Sequence, residues 1–86
     1  MRFIHKIIKI DSYKITVAFD NQEIKTIDIF SFLNLDSISL DSIYAKLKDM
    51  TYFNNVRIDS YGALSWNDEI DFCPDVLYRA GELAKV

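Results

Sequence analysis

The residues nearest to catalytic chemistry in this chain are Cys73, set directly before Pro74 and Asp75, and the carboxylates Asp59, Asp68, Glu69, Asp71 and Asp75 around it. A thiol at a helix N-terminus faces the positive end of the backbone dipole, which favours the thiolate and therefore a nucleophile. Such a nucleophile also needs a base. The only histidine, His5, lies at the far end of the sequence, and no Asn or Asp is specified as a third member. Cys73 is therefore read as a helix start or a small buried hydrophobe.

The acids invite two further chemistries. Clustered oxygens can hold a hard cation such as magnesium, and paired carboxylates can divide general acid and base work. The spacing matches no calcium loop, because Asp-x-Asp-x-Asp-Gly and its twelfth-position glutamate are absent. Solvated turn acids and helix caps are the reading this pattern supports. A small metal-dependent hydrolase remains as an alternative, and it requires Asp59, Asp68, Asp71 and Cys73 to converge on one pocket. Gly62 and Gly81 belong to no Gly-rich string, so phosphate loops are absent, as is Gly-x-Ser-x-Gly. No catalytic, cofactor or metal residue is assigned, and no cofactor is expected.

Composition narrows the class. The chain has 86 residues, half of them hydrophobic, with 2 Gly and 1 Pro, which is the make-up of one small globular α+β domain with short connections. Ten Lys plus Arg against thirteen Asp plus Glu leave a formal charge of −3, which speaks against a general binder of phosphate backbones. The distribution is uneven. Arg2, Lys6, Lys9 and Lys14 against Asp11 make the first fourteen residues +3, so the remainder carries −6. A basic edge on an acidic body can steer a charged partner. The aromatics Tyr13, Tyr44, Tyr52, Tyr61, Trp66 and Tyr78 would suit base stacking, but they lie mainly in the acidic portion, which assigns them to the core or to a protein interface. One cysteine and one histidine exclude intrachain disulfides and Cys/His zinc sites and fit a reducing compartment. Lys6 and Lys9 interrupt the apolar start, so neither a signal-peptide core nor a membrane span is read, and a cytoplasmic location is expected.

The elements that must position these residues are legible from period and punctuation. Residues 3 to 10 read as a strand whose alternation is broken by Lys and His, an edge pattern. Tyr13, Ile15, Val17 and Phe19 alternate with Lys14, Thr16 and Ala18, and Glu23 to Ile29 resumes β character after Asp20-Asn21-Gln22. These three strands are expected to form an antiparallel meander. Phe30, Phe32, Leu33 and Leu35 tuck a loop or helical turn onto the core. Ser39 to Ser42 caps a helix with Leu40, Ile43, Tyr44 and Leu47 on its buried side and Lys46, Lys48 and Asp49 solvated. Val56 to Asp59 and Ala63 to Trp66 make a hairpin about Gly62. Pro74 then opens a second helix with Val76, Leu77, Ala80, Leu83 and Ala84 as its apolar stripe. The order is β-β-β-α-β-β-α, an antiparallel sheet with two packed helices.

Phe53-x-x-Val56-x-Ile58-Asp59, Gly62-x-Leu64-x-Trp66 and Ile70-Asp71-Phe72-Cys73-Pro74-Asp75-x-Leu77-Tyr78 together resemble a small bacterial family, Domain of Unknown Function 2442. Tyr13-x-Ile15-x-Val17-x-Phe19 and Ile27-Asp28 look like its opening strands, so the resemblance covers most of the chain. Asp20-Asn21-Gln22 departs from the family, where a Gly-containing hairpin turn is common. The resemblance implies a compact α+β domain, found alone or fused to a helix-turn-helix domain. It also implies a gene set beside that of another tiny protein, as in toxin and antitoxin pairs. It carries over no catalytic residue. The expected function is a non-enzymatic protein-interaction module, antitoxin-like or accessory to a small neighbouring protein. Its candidate contact residues are Arg2, Lys6, Lys9, Tyr61, Trp66 and Tyr78. A nucleic-acid-binding or transcription-regulatory accessory domain acting through the basic first strand is the alternative.

Overall fold

Two β-bulges explain why the first strand defeats simple alternation. In the computed structural model, which describes residues 1–84, β1 (Ile4–Asp11) pairs antiparallel with β2 (Lys14–Phe19). Ile4, Ile7 and Ile10 lie opposite Phe19, Val17 and Ile15, while Lys6, Lys9 and Asp11 lie opposite Ala18, Thr16 and Lys14. A regular strand returns to the same face every second residue. Register shifts between Ile4 and Lys6 and between Ile7 and Lys9 each insert one extra residue. Isoleucines spaced three apart thereby share the core face.

β2 is central and β3 (Ile24–Asp28) flanks it, with Ile15 opposite Ile27 and Thr16 opposite Thr26. The two threonine hydroxyls meet at 2.8 Å. The connecting turn is Asp20-Asn21-Gln22. Phe19 N–H donates to the Glu23 carbonyl at 2.9 Å, and Gln22 N–H donates to the Phe19 carbonyl at 2.9 Å. Gln22 occupies the left-handed region at φ 71°, the site in a three-residue hairpin loop where glycine is favoured. An L-residue there stores about 1 kcal/mol of strain, part of which glycine's looser unfolded chain offsets. Gln22→Gly is therefore expected to raise stability by a few tenths to about 1 kcal/mol, read as a higher urea midpoint. A lower midpoint would contradict this account.

α1 (Ile29–Leu33) starts at Asp28, whose carboxylate accepts from Ser31 N–H and Oγ, and stops at Asn34 in the left-handed region. It and the following 3-10 turn Leu35–Ser37 set Ile29 and Leu35 into the core and pack Phe30 and Phe32 against it, as expected.

The next segment differs from the expected helix. Ser42 caps a 3-10 helix, Ile43–Lys48, and Asp49 then caps a separate short helix, α2 (Met50–Phe53), through its side-chain bond to Thr51 N–H at 2.9 Å. The extended backbone of Asp49 breaks the run, since its carboxylate competes for the next helix's free N–H groups. Of the four residues expected on the buried side only Leu47 is buried; at three residues per turn Ile43 and Tyr44 stay exposed, and Leu40 lies before the helix and is exposed as well.

The later strands form a second sheet, β4 (Arg57–Ile58), β5 (Leu64–Trp66) and β6 (Ile70–Phe72), instead of extending the first. Asn67 and Asp68, at φ 52° and 60°, make the tight turn between β5 and β6, with Glu69 N–H donating to the Trp66 carbonyl. α3 (Pro74–Ala80) ends earlier than its apolar stripe predicts. Gly81 is extended, and β7 (Glu82–Leu83) joins the open edge of β3, so Leu83 and Ala84 leave the helix and Leu83 is exposed. Val76 also faces outward, and Leu77 is the buried anchor. Unpaired N–H and C=O groups on a sheet edge outweigh one more helical turn here.

The first sheet, ordered β1-β2-β3-β7, and the second, ordered β4-β5-β6, bury one shared cluster that includes Val17, Phe19, Leu47, Phe53, Trp66 and Leu77. The α+β class expected from the sequence holds, with the strands divided between two sheets.

Candidate protein-binding surface

The structure separates the six expected contact residues into three environments. Trp66 is fully buried and cannot contact a partner. Its indole N–H donates to the Phe53 carbonyl at 2.9 Å, and its ring meets those of Phe53 and Phe72 at 5.7 and 5.6 Å. Trp66 points inward with Leu64 and Ile70 because the strand alternation places it on the core face of the second sheet. It is a core anchor.

Tyr78 is half-buried and already occupied. Its hydroxyl donates to Glu23 at 2.7 Å and accepts from Asn21 at 3.1 Å, and its ring packs edge-on against Phe19 at 5.0 Å. The Lys25 ammonium lies 3.7 Å from the ring centroid and donates to the Tyr78 carbonyl at 2.8 Å, with the Arg2 guanidinium 5.2 Å from the same ring. Arg2 is held further by Asp20 at 3.6 Å, and its backbone N–H donates to Asp75 at 2.6 Å. This corner ties the chain's first residues to the β2–β3 turn and to α3.

Lys6, Lys9 and Tyr61 remain exposed. Lys6 and Lys9 stand on the outer face of the first sheet, where pairing sets three cross-strand rows: Asp11, Lys14 and Asp28; Lys9, Thr16, Thr26 and Glu82; Lys6, Ala18 and Ile24. Acids thus interleave with the lysines at one end, and the other end is apolar and basic. Tyr61 projects from the β4–β5 turn beside Phe3. Both residues border one shallow depression, and Phe3 also borders a second one that runs over Ile8 and Ala18 to Ile24. Tyr61 is 82% exposed, Phe3 48%, Ile8 42% and Ile24 39%, so four large apolar side chains form a solvent-facing strip from the β4–β5 turn across the start of the first sheet to β3.

Gly62 assembles this strip. Its carbonyl accepts from Ile4 N–H at 2.8 Å, which joins the second sheet's hairpin to β1. At φ 76° it takes a conformation that favours glycine, and a Cβ there would overlap the Phe3 side chain and lie 3.0 Å from Phe3 Cα. Close backbone approach is what sets Tyr61 next to Phe3. The sequence signals the turn but not this contact across some sixty positions.

The proposed acidic pocket does not gather its members. Asp59 and Asp68 border one polar groove with Arg57 and Ser65, and Asp71 and Cys73 lie outside it. The Asp59 carboxylate accepts from Tyr61 and Ala63 N–H at 2.8 and 3.0 Å and so shapes the turn. Among the described residues no group of three His, Cys, Asp or Glu side chains is placed to hold a metal ion. Cys73 sits at the start of α3 as expected, but it is exposed and not a buried hydrophobe, because Pro74 takes the inward position.

One network escaped sequence reading. Lys46 contacts both Glu69 oxygens at 2.9 and 3.1 Å, and the Tyr52 hydroxyl donates to Glu69 at 2.9 Å. Desolvation first, then the hydrogen bond and charge of Glu69, push the Tyr52 phenol up to about 12. The Lys46 hydrogen bond, followed by that from Tyr52, lowers Glu69 below its usual range. Through these contacts the trio straps the 3-10 helix and α2 to the β5–β6 turn. Its signs are opposite at the two pH extremes. The lowered Glu69 adds stability above its unfolded pKa and loses it as pH falls through the folded value; the raised Tyr52 adds stability below 10 and loses it as pH rises toward 12. Spectrophotometric titration is expected to show one of the 5 tyrosines ionising near 12, and Tyr52→Phe should remove that step. Identical titration curves would refute the assignment.

The family described as "Protein of unknown function (DUF2442)" matches residues 4–82 of the 86. The chain belongs to this family. At a stringent threshold, neither the curated proteins nor the solved structures contain a match. The DUF2442 match spans all the strands but the last residue of β7, and includes Tyr61, Gly62, Ile8 and Ile24, with Phe3 just before its start. Among the described residues no helix is long and apolar enough to cross a membrane.

Proposed function

We propose that this chain is a non-enzymatic protein-binding module, antitoxin-like or accessory to a small protein encoded beside it, and that it acts in the cytoplasm. The observation that carries this reading is the strip of Tyr61, Phe3, Ile8 and Ile24, which exposes large apolar side chains around two adjoining depressions. Contiguous exposed apolar surface rimmed by polar groups marks contact sites in soluble proteins. The free, exposed Cys73 is at home in a reducing compartment. Nucleic acid is the weaker reading, since Asp11, Asp28 and Glu82 share the outer sheet face with the lysines.

Co-expression with the neighbouring gene product, followed by size-exclusion chromatography, tests the proposal. A stable complex is expected, and Phe3→Ser with Tyr61→Ser should weaken it at least about tenfold, as for anchors at the centre of an interface. The absence of any complex, or one indifferent to both substitutions in a folded protein, would defeat the reading.

A further inference from the structure

The chemistry of the strip also specifies what it takes up. We infer that it docks a segment of another protein in which carboxylates alternate with large apolar side chains, an inference that rests on the protein-binding reading above. The floor is apolar, from Tyr61 through Phe3 and Ile8 to Ile24, and Arg2 and Lys6 border the same two depressions. Its one acid, Asp20, is spent internally: it accepts from Phe3 N–H at 3.2 Å and lies 3.6 Å from Arg2. Among the described residues neither Lys6 nor Lys9 has a carboxylate within 4.0 Å. Lys6, beside the apolar floor, and Lys9, one row further along the same sheet face, therefore lack a counter-charge that an acidic segment would bring.

Competing occupants fit less well. A second copy related by two-fold symmetry would set the same basic, apolar patch against itself, with lysines facing lysines. Addition of a strand to β1 would need a flat edge. This edge carries two bulges and its lysines, and Ile4 already donates to Gly62, all features that resist edge pairing. Nucleic acid would meet Asp11, Asp28 and Glu82 on the adjoining rows. Recognition therefore runs through side chains on the surface.

Fluorescence anisotropy with the full chain tests this. The probes are a labelled peptide alternating Glu with Leu and Phe, the same peptide with Lys for Glu, and a single-stranded oligonucleotide. The acidic peptide is expected to bind and to weaken about tenfold or more in K6E/K9E and with added salt, as contacts driven by charge do. Amide shifts of Phe3, Ile8, Ile24 and Tyr61 should locate it on the strip. Equal or tighter binding of the lysine peptide or the oligonucleotide overturns the inference, as does failure of the acidic peptide to bind. A complex with the neighbouring protein that survives K6E/K9E but is lost in the Phe3→Ser, Tyr61→Ser variant overturns the acidic partner alone and leaves the protein-binding reading standing.

Discussion

Trp66→Ala is expected to strip this chain of most of its stability and bring it close to unfolding at room temperature. The indole is among the largest fully buried side chains, and removing one of that size from a core costs about 3–5 kcal/mol. Domains of ordinary stability hold only about 5–15 kcal/mol in total, with small ones at the lower end. The loss is concentrated because Trp66 joins elements distant in sequence: it packs on Phe53 of α2 and Phe72 of β6, and it donates to the Phe53 carbonyl. Trp66→Phe should be milder, about 1–3 kcal/mol, since it keeps an aromatic body and loses volume plus one hydrogen bond. The Phe53 carbonyl retains Val56 N–H at 3.3 Å, so it is not orphaned. Urea unfolding followed by circular dichroism reads both variants. A folded, cooperative Trp66→Ala protein with a midpoint near that of the parent would show that the indole is not the core anchor.

The second large effect falls on Gly62→Ala, a change of one methyl group. The left-handed backbone costs an L-residue about 1–2 kcal/mol, and the added Cβ overlaps Phe3, which resembles overpacking at about 1–3 kcal/mol. Together these predict a loss of about 2–5 kcal/mol. The cost follows from geometry that cannot relax locally, because the neighbours include Phe3 Cα and Ile4 N at 3.0 and 3.1 Å as well as a side chain. Retreat of the turn would break the Ile4–Gly62 hydrogen bond that joins the sheets. As the 1 tryptophan, Trp66 reports the transition by fluorescence. The urea midpoint should fall with little change in slope. An unchanged midpoint would mean that the close approach is not structurally important. Because Gly62 sets Tyr61 beside Phe3, the proposed partner binding should fail along with stability.

Local pattern carried β2 well. Alternation placed Ile15, Val17 and Phe19 inward, and all three are buried. It failed for β1, where two inserted residues convert a period of two into one of three; a bulge is a property of the pairing and leaves little trace in one strand alone. It failed again between Ser39 and Phe53. Leu40, Ile43, Tyr44 and Leu47 have helical spacing, yet side-chain caps at Ser42 and Asp49 split the run into two short pieces. For α3, Pro74 marked the start correctly, and the end was set by the empty edge of β3.

Surface assignment depended still more on the third dimension. Charge counting grouped Arg2, Lys6, Lys9 and Lys14, and the fold ties Arg2 to Asp20 while leaving Lys6 and Lys9 exposed. Aromatic type alone grouped Tyr61, Trp66 and Tyr78, which the fold places on the surface, in the core and in a closed polar corner. Side-chain chemistry is shared by all three, and only burial distinguishes them.

The sequence by itself determined the α+β class, the basic first strand on an acidic body, the Gly62 turn, the Pro74 helix start and membership of the family, because each of these is written in neighbouring residues or in total charge. The tertiary structure decided the split into two sheets, the burial of Trp66, the strap of Lys46, Tyr52 and Glu69, and the meeting of Phe3 with Tyr61. Each of those depends on contacts between segments far apart in the chain. Their energies come from excluded water and close packing, which local periodicity does not encode.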